Sequence, residues 1–381
     1  MKIHQAVTLV GGYGLGNFGD DLLMVANLTV LGRVFSLSEV CVLGHQKINY
    51  CENLVKGPVY VARQGNVAIH SDFVIYGGGT QFFSFDKKKR AESSLCKYRR
   101  IVKGLLDGSV PFRRIWKKVL CEIEVKSNAK TAFMCIGLGP FHAEAEEMKT
   151  VEKLSGAHLI IVRDDLSYQF CKGRRIIAQQ NADIIYAKNL WLQEGERADV
   201  YKENRKLTFI PRHWAHDASG RHFDSMIKLA LKCKDNNFNT AFLIFDKYND
   251  ASLVNEIRKH GFRIEIWDPC ESKIEDFARH LQSSELIVTA RAHGAIVGAT
   301  FGIPSLCVEV EPKLKIMASQ LKTGAECWPQ PFDADIGYQK INLMLKNYNY
   351  YKRGIMESFN ELSVSANQAA NKLELFLREN K

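Results

Sequence analysis

A glycine-rich stretch near the start of the chain, residues 11–21, most constrains what this sequence can fold into. An apolar run at residues 6–10 precedes it, and apolar residues follow it at helical spacing as far as Leu31. This pattern predicts a buried strand, a tight turn and a helix. Because such a turn aims backbone N–H groups at the crevice above the sheet, we expect a small polar or anionic ligand there.

Short apolar runs alternate with helical patterns along both halves of the chain. In the first half we predict strands at residues 40–43, 59–61, 73–76, 131–136, 158–162 and 184–185. In the second half we predict strands at residues 207–210, 241–245, 262–267, 286–289 and 305–308. Helices are predicted there at residues 221–234, 252–260, 274–282, 292–300 and 313–321. Such alternation is typical of parallel sheets covered by helices on both faces.

The length of 381 residues exceeds what a single core usually fills, so two domains are expected. The predicted fold class is α/β, with two Rossmann-like domains that face a cleft. Residues 1–190 form the first domain, residues 205–345 the second, and residues 346–381 a C-terminal helix that packs back on the first. The tail reads as one helix over residues 341–379. The strand ends of both domains then meet on the cleft, where ligands bind in such sheets.

The cysteines and the hydropathy exclude several classes of protein. The ten cysteines are scattered with no C-x-x-C pair, which argues against a zinc cluster or a disulfide framework and fits a reducing cytoplasm. No apolar run approaches the roughly 18 residues of a membrane span, and no signal-peptide pattern opens the chain. We therefore expect a cytoplasmic protein that neither crosses the membrane nor is exported.

Most of the formal net charge of +10 lies in one segment, residues 86–130, with 14 Lys or Arg against 5 Asp or Glu. Within it, residues 110–123 have an amphipathic helical pattern. The face opposite the apolar residues carries Arg113, Arg114, Lys117 and Lys118. Such a helix can bind an anionic membrane surface. It can equally pack on its own domain with a solvated basic face, and the sequence leaves both interpretations open.

Gly14, Gly16 and Gly19 satisfy the G-x-G-x-x-G pattern of dinucleotide-binding proteins. Dinucleotide binding also requires an acidic residue at the end of the second strand, and the sequence has none there. Asp20 and Asp21 moreover place negative charge where a pyrophosphate would lie. The stretch therefore argues against a nicotinamide or flavin cofactor.

Two features of the first half have both a structural and a functional interpretation. Asp20 stands where a carboxylate can cap a helix, but it can also orient or deprotonate a hydroxyl of a substrate, as can Asn17. Gly77, Gly78 and Gly79 end a predicted strand, where they either leave room for a ligand or form a tight turn. The sequence does not decide between these interpretations.

Arg291 and His293 stand between a predicted strand and a predicted helix in the second half. Arginine is a permanently charged fork suited to carboxylate or phosphate, and histidine can act as a general acid near neutral pH. The alternative for this pair is a helix cap with a surface salt bridge. Other cations near strand ends could join Arg291 around a small polyanion: Arg163, Arg212 and Lys313.

Common enzyme signatures are missing from the sequence. It contains no H-E-x-x-H, no P-loop and no G-x-S-x-G, so zinc peptidase, NTPase and serine hydrolase activities have no support. The predicted cleft residues include no dense set of carboxylates. No metal and no cofactor is therefore expected.

Several motifs, taken in order, resemble the polysaccharide pyruvyl transferase family. They are Gly12-Tyr13-Gly14, Asn17-Phe18-Gly19-Asp20-Asp21, Ile75-Tyr76-Gly77-Gly78-Gly79, Ile136-Gly137-Leu138-Gly139-Pro140, Val162-Arg163-Asp164 with Ser167, Arg291-Ala292-His293, Gly302-Ile303-Pro304 and Pro312-Lys313. Ala292 departs from the family pattern, which usually has Leu between the Arg and the His.

The resemblance implies an architecture like that of the two-domain GT-B glycosyltransferases. It also implies transfer of pyruvate from phosphoenolpyruvate, the co-substrate, to a sugar diol of a cell-surface polysaccharide or of its lipid-linked precursor, which gives a ketal. The residues that would bind phosphoenolpyruvate are Arg163, Arg212, Arg291, His293 and Lys313. This would place the donor partly on the second domain and the acceptor on the first.

The resemblance further implies catalytic roles for Asp20, Arg291 and His293. His293 would protonate the donor methylene carbon, and Asp20 would act as base. The acceptor would face Asn17, Asp20, Gly77, Gly78 and Gly79. His293→Ala or Arg291→Ala would then abolish turnover with the fold intact.

Two other functions share part of this evidence. A GT-B glycosyltransferase that uses a nucleotide sugar has the same architecture and a cationic cleft. A non-catalytic assembly protein would bind glycolipid through the basic segment. With a lipid-linked acceptor, we expect the protein at the inner face of the membrane, with an anionic surface contacted through residues 86–130 and no nucleic acid as partner.

Overall fold

The computed structural model describes residues 2–45, 47–63, 68–84, 129–192, 205–214 and 220–381. The predicted amphipathic helix at residues 110–123 lies outside the described residues, as does nearly all of the basic segment. Within the described part of the chain, no helix is both long and apolar enough to cross a membrane.

The first half of the chain forms a parallel sheet of seven described strands in the order β3-β2-β1-β4-β5-β6-β7. Their bounds are β1 Lys2–Val10, β2 Val40–Gly44, β3 Val59–Ala62, β4 Ala68–Ser84, β5 Lys130–Phe141, β6 Leu159–Val162 and β7 Gln179–Gln180. All five residues of β2 are buried, as expected of a strand covered on both faces.

The second half forms a parallel sheet of six described strands in the order β10-β9-β8-β11-β12-β13. Their bounds are β8 Lys206–Ile210, β9 Asn239–Ile244, β10 Arg263–Ile266, β11 Leu286–Thr289, β12 Ser305–Val308 and β13 Ala325–Trp328. The strand order in each half reverses once, between β1 and β4 and between β8 and β11, as in Rossmann folds. The predicted fold class, two facing Rossmann-like α/β units, is confirmed.

Helices connect the strands and cover both sheets. The described ones are α1 Phe18–Leu31, α2 Glu144–Ser155, α3 Asp165–Gly173, α4 Arg221–Asp235, α5 Ala251–Lys259, α6 Ile274–Arg279, α7 Ala292–Thr300, α8 Pro312–Gln320, α9 Ala334–Lys346 and α10 Tyr348–Asn380. The last of these lies against the first sheet, because Lys130 donates to Asn380 Oδ1 at 2.9 Å and the backbone N–H of Ala182 donates to Ser365 Oγ at 3.0 Å.

Three predicted elements differ from the structure. The strand predicted at residues 184–185 is wrong: Ile184–Tyr186 is a 3-10 turn whose backbone is capped by the Asp183 side chain. These isoleucines are fully buried, and burial alone does not separate a strand from a turn. The strand predicted to end before Gly77 continues to Ser84. The single predicted tail helix is two, α9 and α10, separated at Asn347.

Candidate active site

A cleft of about 1050 Å³ lies where the carboxyl ends of the two sheets face each other. Both points of strand-order reversal open onto it, and parallel α/β sheets bind ligands at such points. The structure brings all ten predicted site residues together along this cleft: Asn17, Asp20, Gly77, Gly78, Gly79, Arg163, Arg212, Arg291, His293 and Lys313. Their individual roles stay predictions.

The turn after β1 brings the N-terminus of α1 to the cleft and ties it to the second sheet. Asn17 is the N-cap, and its Oδ1 accepts a hydrogen bond from the Gly19 N–H at 3.0 Å. The Phe18 N–H donates to the Phe245 carbonyl just past β9 at 2.8 Å. Of the two interpretations of Asp20, helix capping is therefore wrong, because Asn17 fills that position.

The Asp20 carboxyl group lies against two glycines on the cleft. A Cβ on Gly12 would be 3.3 Å from its Cγ, and one on Gly79 would be 3.9 Å from its Oδ1. Burial raises the pKa of Asp20 to about 6, although Lys313 and Arg291 act in the opposite direction. At neutral pH this side chain is mostly ionised and more basic than an ordinary carboxylate, which suits it to accept a proton.

Asp21 has a different environment from its neighbour Asp20. It is fully buried, and its carboxylate accepts hydrogen bonds from the Tyr50 hydroxyl at 2.7 Å and from the Trp267 indole at 2.8 Å. Trp267 follows β10, so this carboxylate joins the two halves of the molecule. Burial raises the pKa of Asp21 to about 7. The two consecutive carboxylates are thus divided between the cleft and the junction of the sheets.

Packing and backbone conformation each explain why β4 contains three consecutive glycines. The Gly77 carbonyl accepts a hydrogen bond from the Tyr13 hydroxyl at 2.8 Å. A Cβ on Gly77 would lie 2.3 Å from the hydroxyl oxygen of Tyr13. Gly78 and Gly79 both have φ of +75°, a conformation that other residues adopt at a cost. Packing and backbone conformation therefore require glycine here, and the missing side chains leave this wall of the cleft open.

Arg163 follows β6 and is buried among carboxylates. Its Nη1 donates to Asp183 Oδ2 at 2.7 Å, and its Nε lies 3.0 Å from where a Cβ on Gly137 would be. The adjacent Asp164 caps α3, since its Oδ1 accepts from both the N–H and the hydroxyl of Ser167. In this motif Asp164 and Ser167 build the local backbone, and Arg163 lines the cleft.

Arg291 follows β11 and is fixed by partners from two other strand ends. Its Nη2 donates to Asp250 Oδ2 at 2.6 Å and lies 3.9 Å from Asp246 Oδ2. Its Nε donates to the Pro211 carbonyl at 3.3 Å. Asp250 is fully buried, so this ion pair is protected from solvent and has a defined geometry.

Arg212 and Lys313 share one carboxylate, that of Glu311. Lys313 Nζ lies 2.9 Å from Glu311 Oε1, and Arg212 pairs with the same oxygen. The Arg212 guanidinium also stacks over the Trp214 ring at 4.3 Å from its centroid. Burial lowers the pKa of Lys313 to about 8, although Glu311 opposes this. Together with Arg163 and Arg291, these two side chains form a cationic wall of the cleft: Arg163, Arg212, Arg291 and Lys313.

His293 lies in the first turn of α7, packed against the first turn of α1. A Cβ on Gly19 would be only 1.9 Å from its Nδ1, so the absence of a side chain at Gly19 makes room for the imidazole. Its Nε2 is buried without a hydrogen-bond partner among the described residues, 3.9 Å from Asp183 Oδ2. Burial lowers the pKa of His293 to about 3, which leaves a neutral imidazole in the free protein.

Sequence reasoning missed the carboxylates that hold these cations: Asp183, Asp246, Asp250 and Glu311. Asp246 follows a predicted strand and Glu311 precedes a predicted helix, so the rule that selected the arginines would also have found these two. Asp250 stands two residues before a predicted helix, as Glu311 does, so the same position would have found it, whereas nothing local marks Asp183. Of these four carboxylates, Asp246 and Glu311 line the cleft. Among the described residues, no group of three His, Cys, Asp or Glu side chains is arranged to hold a metal ion.

Two facing Rossmann-like domains with a cation-lined cleft define an α/β protein of GT-B-like architecture. Residues 17–312 match the model of the family described as polysaccharide pyruvyl transferase. The chain therefore belongs to the polysaccharide pyruvyl transferase family, as its motifs predict. Ala292, which departs from the family pattern, is buried and lines the cleft beside His293.

Solved structures of similar fold include proteins in complex with UDP or with UDP-GlcNAc. S. aureus MnaA in complex with UDP is 11% identical with a TM-score of 0.58, over 99% of this chain and 97% of that one. Anabaena Alr3699/HepE in complex with UDP and glucose is 8% identical with a TM-score of 0.55, over 98% and 100% of the two chains. UDP-GlcNAc 2-epimerase from Neisseria meningitidis is 11% identical with a TM-score of 0.52, over 98% and 99%. At these identities the similarity shows the fold alone. No curated protein matches the chain.

Proposed function

We propose that this protein transfers the pyruvate group of phosphoenolpyruvate to two hydroxyls of one sugar residue, in a cell-surface polysaccharide or its lipid-linked precursor. The products are a cyclic ketal and inorganic phosphate. One observation carries the proposal: the four side chains of the cationic wall converge on the cleft beside the neutral imidazole of His293, with the Asp20 carboxylate in the same cleft. Membership of the family supports the reaction class.

The cationic wall suits a donor that carries a carboxylate and a phosphate. Arg163 and Arg291 are fixed by buried carboxylates, Asp183 and Asp250, so their remaining N–H groups are held in position before a donor binds. Lys313 adds a cation at the start of α8, where the helix dipole also favours an anion. Because Arg163 comes from the first sheet and the others from the second, donor binding draws on both domains.

The proposed proton transfers follow from the pKa values of His293 and Asp20. In the free protein His293 is neutral, and the negative charge of a bound donor raises the pKa of the imidazole so that it takes up a proton. The imidazolium then gives this proton to the donor methylene carbon. One sugar hydroxyl attacks the central carbon and loses its proton to Asp20. The second hydroxyl then displaces the phosphate group and closes the ketal ring, and its proton leaves with the inorganic phosphate.

Parallel incubations test this proposal. The purified protein is mixed with phosphoenolpyruvate or with UDP-sugars, each with a panel of methyl hexosides and hexose-containing oligosaccharides. Release of phosphate together with a sugar product heavier by one pyruvate less one water supports the pyruvyl transfer. Release of UDP would instead indicate a glycosyltransferase. Consumption of neither donor, with glycolipid binding retained in His293→Ala, would indicate a non-catalytic assembly protein.

The proposed location depends on the basic segment. With a lipid-linked acceptor, we propose that residues 110–123 hold the protein at the inner face of the membrane, because their sequence joins apolar residues to a basic face. The test is co-sedimentation with vesicles that contain anionic lipid. Binding that is unchanged after Arg113, Arg114, Lys117 and Lys118 are all replaced by Glu would exclude this role.

A further inference from the structure

Two cations on the cleft differ from the cationic wall in having no carboxylate partner among the described residues. Arg63, just past β3, and Lys153, on α2, both line the cleft. Each member of the cationic wall pairs with a carboxylate. Among the described residues, the cleft cations without such a partner are therefore Arg63 and Lys153, which both belong to the first half of the chain.

Arg63 is fixed in place although it lacks an ion pair. Its Nη2 donates to the Gly11 carbonyl at 3.0 Å, in the glycine-rich turn, and its backbone N–H donates to the Gly44 carbonyl at 2.9 Å. A guanidinium has five N–H donors, and this carbonyl takes one of them. The others have no acceptor among the described residues, and they have the fork geometry that suits carboxylate and phosphate oxygens of a ligand.

Two aromatic rings, those of Tyr76 and Phe82, line the cleft next to Lys153. Tyr76 stacks parallel to Phe133 with centroids 4.6 Å apart, and Phe82 packs against both rings. Lys153 Nζ lies 5.6 Å from the Tyr76 centroid and 5.9 Å from that of Phe82. An aromatic surface beside fixed polar groups is typical of small-molecule sites. Here it adjoins the turn that carries Asp20, the proposed base.

We propose that the acceptor saccharide is anionic and that its carboxylate or phosphate group binds Arg63, with Lys153 as a second cation, while its sugar ring packs on Tyr76 and Phe82. This inference rests on the proposed function, because it assumes that phosphoenolpyruvate occupies the cationic wall. Under that assumption, the part of the cleft lined by Arg63 and Lys153 is left for the acceptor. A neutral sugar would leave the guanidinium of Arg63 without a counter-charge.

Matched pairs of saccharides test the proposal by calorimetric binding in the absence of phosphoenolpyruvate. One pair is a hexose 1-phosphate and the methyl glycoside of the same hexose, for galactose, glucose and mannose. The other is a disaccharide with a terminal neutral hexose on a hexuronate, and the methyl ester of that disaccharide. We expect the charged member of one pair to bind about tenfold tighter than its neutral partner. The pair that shows the preference identifies phosphate or carboxylate.

Variants assign the preference to these side chains. In Arg63→Gln the two members of the pair should bind within about twofold of each other, and Arg63→Lys should keep part of the preference. Lys153→Gln, on an exposed helix, should reduce the preference without affecting the fold. Lys149→Gln is the matched control on the same helix, since Lys149 pairs with Glu146 and does not line the cleft.

Several outcomes would overturn the inference. The inference is wrong if the unmodified protein binds the charged and neutral members equally or binds neither. It is also wrong if the preference for the charged member survives Arg63→Gln. Loss of phosphoenolpyruvate binding in Arg63→Gln would also overturn the inference, because it would place the donor at Arg63. Failure of the proposed function gives a different result. If the protein prefers anionic sugars but never releases phosphate from phosphoenolpyruvate, the anionic-sugar site stands and the proposed pyruvyl transfer is refuted.

Discussion

The two walls of the cleft are built on opposite physical principles. The cationic wall consists of long charged side chains, each held by a carboxylate, as Arg291 is held by the fully buried Asp250. The wall that carries Gly12 and Gly79 consists largely of backbone, with the Asp20 carboxyl group against these glycines. Changes on the first wall should therefore alter charge and stability together. Changes on the backbone wall should act sterically, because an added side chain occupies space in the cleft.

The largest expected effect is the loss of turnover in His293→Ala. If the imidazole transfers the proton, phosphate release from phosphoenolpyruvate should fall by about 10²–10⁴-fold. The free energy of unfolding should change little. Nε2 is a buried atom without a hydrogen-bond partner among the described residues, so removing it is favourable, and this gain offsets the cost of the small cavity left behind. Steady-state phosphate release and a urea titration measure the two quantities. A rate within about tenfold of the unmodified protein would remove His293 from the proposed chemistry.

Arg291→Ala should differ from His293→Ala by affecting the fold as well. It leaves the Asp250 carboxylate buried and unpaired, which should lower the free energy of unfolding by about 3–5 kcal/mol. The expectation of an intact fold, drawn from the sequence, is therefore revised for this residue. The double variant Arg291→Met with Asp250→Asn should recover much of that stability without recovering activity. Denaturant titrations of both proteins check this, and an unchanged stability of Arg291→Ala would contradict it.

Gly19→Ala tests the contact between α1 and α7, where the absence of a side chain makes room for His293. The added Cβ would lie 1.9 Å from His293 Nδ1, so the imidazole must move, and a displacement of this size should lower turnover by about 10²-fold. Gly173→Ala is the matched control, since nothing lies within 4 Å of a Cβ there; it should leave turnover unchanged. The kcat values of the two variants decide the matter, and equal values would mean that the contact between α1 and α7 has no catalytic consequence.

The smallest effect should be a shift in pH dependence in Lys313→Arg. Turnover should rise with pH as Asp20 ionises near its pKa of about 6 and fall as Lys313 loses its proton near its pKa of about 8. Arginine stays charged throughout this range. The variant should therefore keep the acid limb of the kcat/KM profile and lose the alkaline limb near pH 8. An alkaline limb that persists in Lys313→Arg would belong to another group.

The sequence predicts the parts of this architecture that depend on local pattern. Apolar runs locate most strands, and because parallel strands end on one edge of a sheet, the residues after them could be assigned to a common cleft. Arg163 and Arg291 were found in this way. Their partners, Asp183 and Asp250, were not, since pairing between distant segments leaves no local periodicity. Nor does the sequence distinguish Asp20 from Asp21. That distinction depends on Trp267, which is 246 residues away from Asp21.

The hydrogen bond from Trp267 to Asp21 places a fluorescent side chain at the contact between the two domains. The indole is fully buried where the second sheet meets α1, and the residue before Asp21 is the cleft carboxylate. A substrate that moves Asp20, or that opens the two sheets relative to each other, changes the polarity and charge around this indole. Trp267 is one of five tryptophans, so in a variant whose other four are replaced by phenylalanine its emission spectrum reports on the contact between the two domains.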